Sequence, residues 1–107
     1  MSLDVYLKEI RPTIIYDANI THNLGVMARA SGLYDCLWHP EDHDITKAAQ
    51  LIEPLREGLV RLREKPGFFE QFNAKNGWGT YPDFVQFVEN YLQACKEHPE
   101  ADVEVSR

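Results

Sequence analysis

LDVYLKEI, residues 3 to 10, sets Leu3, Val5 and Leu7 against Asp4, Tyr6 and Lys8 in strict alternation. Successive side chains of a strand point to opposite faces, so this stretch has one apolar and one polar side and reads as a half-buried strand. ADVEVSR, residues 101 to 107, repeats the pattern, with Val103 and Val105 alternating with Asp102, Glu104 and Ser106. Two such strands at opposite ends of a chain can cover one edge of each other by pairing. A lone pair also needs something packed on its apolar face, and the helices between supply it. The expected fold class is therefore α+β: three main helices and a small antiparallel sheet joining the N- and C-terminal strands. Because chain ends that pair are easily exchanged, both a monomer and a strand-swapped dimer fit this reading.

Arg11-Pro12 should end the first strand, and residues 13 to 16, TIIY, continue as an extended piece. The first helix is expected over residues 20 to 31, capped by Asp17 or Asn19 and closed by Gly32 in the left-handed conformation. It would place Ile20, Leu24, Met27, Ala28 and Ser31 on one face, with His22, Gly25 and Arg29 opposite. Residues 33 to 38 add a helical turn or two. Asp44 or Thr46 should open the second helix, which runs to about residue 65 on the stripe Ile45, Ala48, Ile52, Leu55, Leu59 and Leu62. Pro54 lies inside that stripe and should kink or split the helix. Pro66-Gly67 stops it. Thr80-x-x-Asp83 resembles a capping box with Pro82 in the first turn, and the third helix carries Phe84, Val88, Tyr91, Leu92 and Cys95 inward.

A chain of 107 residues suits one domain, residues 1–107, with a modest core. Its 44% hydrophobic and 26% charged residues are those of an ordinary globular protein. The formal charge of −6 argues against binding nucleic acid through phosphate neutralisation, which needs a basic face. No apolar run approaches the roughly 20 residues of a membrane span. MSLDVYLKEI carries an acid at Asp4 and no apolar core of a secretory signal, so a cytoplasmic location is expected. Cys36 and Cys95 are too few for a disulfide framework and are expected to be buried thiols.

ITHNLG, LYDCLWHPED, FNAKNGWGTY and the terminal ADVEVSR together resemble a family of small uncharacterised proteins met in bacterial and phage genomes, over nearly the whole chain. The resemblance implies a self-contained one-domain protein with an accessory or phage-related role. The family has no established activity, so the resemblance transfers no catalytic residue.

Three chemistries can be weighed on the residues. His39 and His43 sit among Glu41, Asp42 and Asp44, and imidazole with carboxylate suits a transition metal. A zinc site would need a further ligand, such as His22 or Cys36, and HExxH and CxxC are both missing; the plain alternative is a solvated loop. Cys36 and His39 have the spacing of an activated thiol, but Tyr34, Leu37 and Trp38 around Cys36 favour burial. Walker A, GxGxxG and GxSxG are also missing, so neither a cofactor nor an enzymatic activity is expected. The third chemistry is recognition. Asn73, Asn76, Trp78 and Tyr81 lie within nine residues of a glycine-rich loop, and an aromatic among amides suits a ligand or a protein partner. In NITHNLG, residues 19 to 25, Gly25 costs about 1 kcal/mol in a helix interior and suggests close approach of another group. The expected site joins Asn19, His22, Asn23 and Arg29 to Asn76, Trp78 and Tyr81. The leading expectation is a non-enzymatic binding protein for a small anionic ligand held by Arg29 and His22. The alternatives are an acidic inhibitor or immunity-like protein module, and a metal-dependent hydrolase using the histidines.

Overall fold

The computed structural model describes residues 2–9 and 13–107. The expected strand stop at Arg11-Pro12, and Ile10 before it, lie outside the described residues. Strand β1 (Ser2–Lys8) is followed by β2 (Ile14–Thr21), a 3-10 turn (His22–Leu24), α1 (Gly25–Ala30) and α2 (Tyr34–Trp38). A second 3-10 turn (Pro40–His43) leads to α3 (Ala49–Glu64), α4 (Pro66–Glu70), α5 (Tyr81–Glu97) and β3 (Asp102–Ser106). The fold is α+β, with a three-stranded antiparallel sheet in the order β2-β1-β3.

The alternation of β1 decides the layering. Leu3, Val5 and Leu7 are fully buried and oppose Ile20, Ala18 and Tyr16 of β2, while Val5 and Leu7 also oppose Val105 and Val103 of β3. The N- and C-terminal strands pair as their patterns require. The helices cover this inner face, placing Met27, Leu37, Leu51, Leu55, Phe84 and Val88 in one core with the strands. The outer face keeps Asp4 opposite Asn19 and Tyr6 opposite Asp17.

β2 corrects the sequence reading. The extended piece does not end at residue 16 but runs on through Thr21, so Asp17 and Asn19 are strand residues and not helix caps. Tyr16, Ala18 and Ile20 alternate with Asp17 and Asn19, and pairing with β1 selects that period 2 over the helical spacing that Ile20 shares with Leu24 and Met27. Thr21 takes the capping role, its hydroxyl accepting from the Asn23 amide at 3.2 Å. Gly25 thus opens α1 and does not interrupt it. Gly32 has a φ of 77°, as its place after α1 requires.

Pro54 does not split α3, which runs unbroken from Ala49 to Glu64. The proline lies in the second turn, so the carbonyl it leaves without a helical donor is that of Gln50, near the helix start. That start is also later than expected. The side chain of Gln50 reaches back, accepting from the amides of Thr46 and Lys47 at 2.9 Å and donating to the Asp44 carbonyl. The amides of Ala48 and Ala49 donate to the carbonyls of Ala101 and Pro99, and that of Val103 to Thr46. This stitching covers part of the outer edge of β3. α3 approaches the residue before α2 closely at Gly58, where an added Cβ would fall 2.3 Å from Leu33. α5 begins as read, with Thr80 accepting from the Asp83 amide, and packs on both α3 and β2. No helix among the described residues is long and apolar enough to cross a membrane.

Candidate functional site

The loop of residues 73 to 80 is held by its own short-range bonds. Asn76 Oδ1 accepts from the Trp78 amide at 3.0 Å, Asn73 Oδ1 accepts from the Tyr81 amide at 2.7 Å, and the Ala74 amide donates to Gly79 O at 2.9 Å. Gly77 and Gly79 supply the positive φ angles, 78° and 117°, that this path needs. The loop is also tied to the 3-10 turn before α1: Asn23 Nδ2 donates to Trp78 O at 3.0 Å. At Gly79 a Cβ would lie 2.9 Å from Thr21 and 3.2 Å from Leu24, so only glycine admits this approach. The two polar stretches do meet, through backbone and amides. The close approach expected at Gly25 occurs at Gly79 instead.

What the loop carries outward is Trp78, 71% exposed. On one side of it lies an open groove of about 510 Å³ between β2, the loop and α5, walled by Ala18, Ile20 and Phe87 and by Asp83, Gln86 and Asn90. No residue of β1 lines this groove, and it runs along β2, whose other edge is paired by no strand among the described residues. On the other side a second groove, about 560 Å³, is lined by Ser2, Asn19, His22, Asn23 and Asn76. Five of the seven expected site residues therefore surround Trp78 or include it. Asn19 is partly committed, donating to Ser2 Oγ and Asp4 Oδ1 at 2.8 Å across the sheet.

Two expected residues are not in these grooves. Tyr81 is the first residue of α5 and turns inward, its hydroxyl donating to Leu62 O at 2.7 Å. Arg29 packs over Tyr34, its guanidinium carbon 4.0 Å from the ring centroid, and lines a separate cleft. His22 borders both the second groove and the Arg29 cleft, and its Nδ1 accepts from the buried indole of Trp38 at 2.9 Å. An accepting Nδ1 leaves the ring proton on Nε2.

The histidines do not assemble a three-histidine metal site. Among the described residues only His39, Glu41 and Asp42 bring ligand atoms within 4.8 Å of one another, and both carboxylates are exposed. His43 turns to Asp35, 3.7 Å away. Cys36 is no activated nucleophile either. Its thiol is buried, donates to Leu33 O at 3.4 Å, and is pushed up to about 12 chiefly by loss of solvent. Burial likewise pushes Cys95 up to about 12. His39 lies against Tyr34, Glu41 and Asp42.

Sequence reasoning missed the groove wall on α5. Asp83, Gln86 and Asn90 share a helical face at i, i+3 and i+7, a polar stripe that the sequence does contain. It also missed Arg107, whose Nη1 donates to Trp38 O and to Glu41, both at 2.7 Å. No periodicity announces that contact. Compared with known proteins, this chain matches no protein-family model, no curated protein and no solved structure.

Proposed function

We propose that this chain is a small non-enzymatic binding protein that recognises an extended, basic peptide segment of a protein partner, laid along β2 beside Trp78. The observation that carries the reading is a tryptophan 71% exposed on a loop fixed by hydrogen bonds, next to a groove along an unpaired strand edge. A strand edge offers a row of amides and carbonyls to an added strand, while an exposed aromatic anchors one side chain of it. The asymmetry of the sheet favours this edge. The outer edge of β3 is stitched to residues 46 to 49, whereas β2 has no second strand among the described residues.

Charge selects the partner. Asp83 is the only charged residue among the described residues lining the groove along β2, Asp17 stands exposed on β2, and the whole chain carries −6. Two copies would bring like charges together, while a segment bearing Lys or Arg is attracted. An anionic ligand finds no cation in this groove, so the protein-module reading is favoured here over the small-anion one.

The test is a random peptide display library panned on the parent protein and on Trp78→Ala. Enrichment of Lys- or Arg-containing sequences is expected, with binding weakened about thirtyfold or more in the variant, as for loss of an aromatic anchor worth about 2 kcal/mol. Amide exchange should slow in β2 on binding. Failure to enrich any sequence, or equal binding to Trp78→Ala, would overturn the reading.

A further inference from the structure

The cleft on the far side of His22 differs from the Trp78 grooves in its chemistry. It encloses about 380 Å³ and is lined by His22, Gly25, Arg29, His39 and Arg107 with the rings of Tyr34 and Trp38. Two arginines and two histidines converge there in a chain that holds 17 acidic residues against 11 basic ones. Four other cations are neutralised, Lys8 by Glu104, Lys47 by Asp102, Arg56 by Glu53 and Arg63 by Glu89, while Arg61 donates to the Ser31 carbonyl. Arg107 is paired with Glu41. Arg29 has no carboxylate partner among the described residues.

Arg29 is also held in place. Its guanidinium lies over the ring of Tyr34, which itself stacks on Trp38 at 5.1 Å and 13°. Trp38 in turn is buried and donates its indole N–H to His22 Nδ1. One stack therefore orients two donors: the planar fork of Arg29, whose geometry matches an oxyanion, and the Nε2–H of His22. Gly25 lies between them. Its φ of −57° is open to any residue, and a Cβ would meet only Tyr34 at 3.7 Å and Arg29 at 4.0 Å, which is ordinary contact. The fold does not require glycine at this position; a methyl group would project into the cleft.

We propose that this cleft is a binding site for a phosphate group, held by the Arg29 guanidinium and His22 Nε2–H, with His39 and Arg107 on its walls. Arg29 and His22 have no carboxylate partner among the described residues, whereas Arg107 and His39 on the wall share Glu41. Two donors from separate positions of the chain suit a tetrahedral oxyanion, which accepts from several directions, better than a planar carboxylate, which is matched by a single fork. The site is independent of the peptide groove, and Trp78 takes no part in it.

Titration with inorganic phosphate at constant ionic strength, followed by NMR of the imidazole and Arg Nε–H resonances, tests the proposal. Saturable shifts of His22 and Arg29 are expected in the millimolar range, unchanged by Trp78→Ala, with acetate binding more weakly. Arg29→Gln should weaken phosphate about tenfold or more, and Arg29→Lys should not restore it, because a point charge does not replace the stacked fork. Gly25→Ala keeps every donor and serves as a second probe should Arg29→Gln unfold; it should bind less tightly than the parent. Shifts that fail to saturate, equal affinity in Arg29→Gln, or tighter binding of acetate would overturn the assignment.

Discussion

Trp78 and Gly25 separate the demands of folding from those of binding at the scale of single residues. A fully buried tryptophan costs about 3–5 kcal/mol when truncated to Ala. Trp78 is 71% exposed, and it is the loop backbone, not the indole, that Asn23 and Asn76 hold. Trp78→Ala should therefore lower stability by less than about 1 kcal/mol in a urea melt followed by far-UV dichroism. A loss of several kcal/mol would make the ring a core residue and remove the anchor of the proposed groove. Gly25 gives the opposite sign. At a helical φ with room for a Cβ, Gly25→Ala restricts the unfolded chain without straining the native one, so it should stabilise by about 0.4–1 kcal/mol. A destabilised variant in the same melt would show that the fold needs the glycine. Glycine would be needed at Gly79, where Thr21 and Leu24 leave no room for a side chain.

At the scale of elements, a segment was legible where only one periodicity fitted it. β1, β3 and α5 have unambiguous spacing, and their residues pack as that spacing requires. The stretch from residue 17 to residue 24 satisfies two periods at once, because Ile20 belongs both to the strand face with Ala18 and to the helical face with Leu24. Tertiary pairing with Leu3 decided it, and no local signal encodes that partner. The same element explains why the expected site was only partly recovered. Extending β2 to Thr21 gave Asn19 to the sheet, while Arg29 packs over Tyr34 and lines a cleft without Trp78. β3 is the element whose loss should matter most for its size. It gives Val103 and Val105 to the inner face, Asp102 to Lys47, and the Val103 amide to Thr46. Deleting residues 102 to 107 should cost on the order of 3–5 kcal/mol, from two half-buried valines and several hydrogen bonds at about 1 kcal/mol each. The variant should melt lower and aggregate through the bared edge of β1, whereas an unchanged melting curve would contradict the pairing.

Across the whole molecule, the core gathers ionisable groups that folding keeps neutral. Burial pushes the thiols of Cys36 and Cys95 up to about 12 from an ordinary 9.0. Burial also raises the phenol of Tyr91, whose hydroxyl has no partner among the described residues, and that of Tyr16 stacked on it. For each group the native state holds its proton more tightly than the unfolded chain does. Unfolding therefore releases protons once the pH passes the unfolded pKa values, and stability falls with further increase in pH. The contribution is fully present below about pH 9, where thiols are protonated in both states, and is lost as the pH rises toward the folded value of about 12. Melting temperatures measured from about pH 8 to about pH 11 should decline steadily above pH 9, and Cys95→Ala should decline less steeply than the parent. Below that range the two thiols of the folded protein should resist alkylation and react only on addition of denaturant, since the thiolate is the nucleophile and neither side chain is exposed. Rapid labelling of either cysteine in the native protein, or a melting temperature that stays level to about pH 11, would show that these thiols are neither buried nor held neutral by the fold.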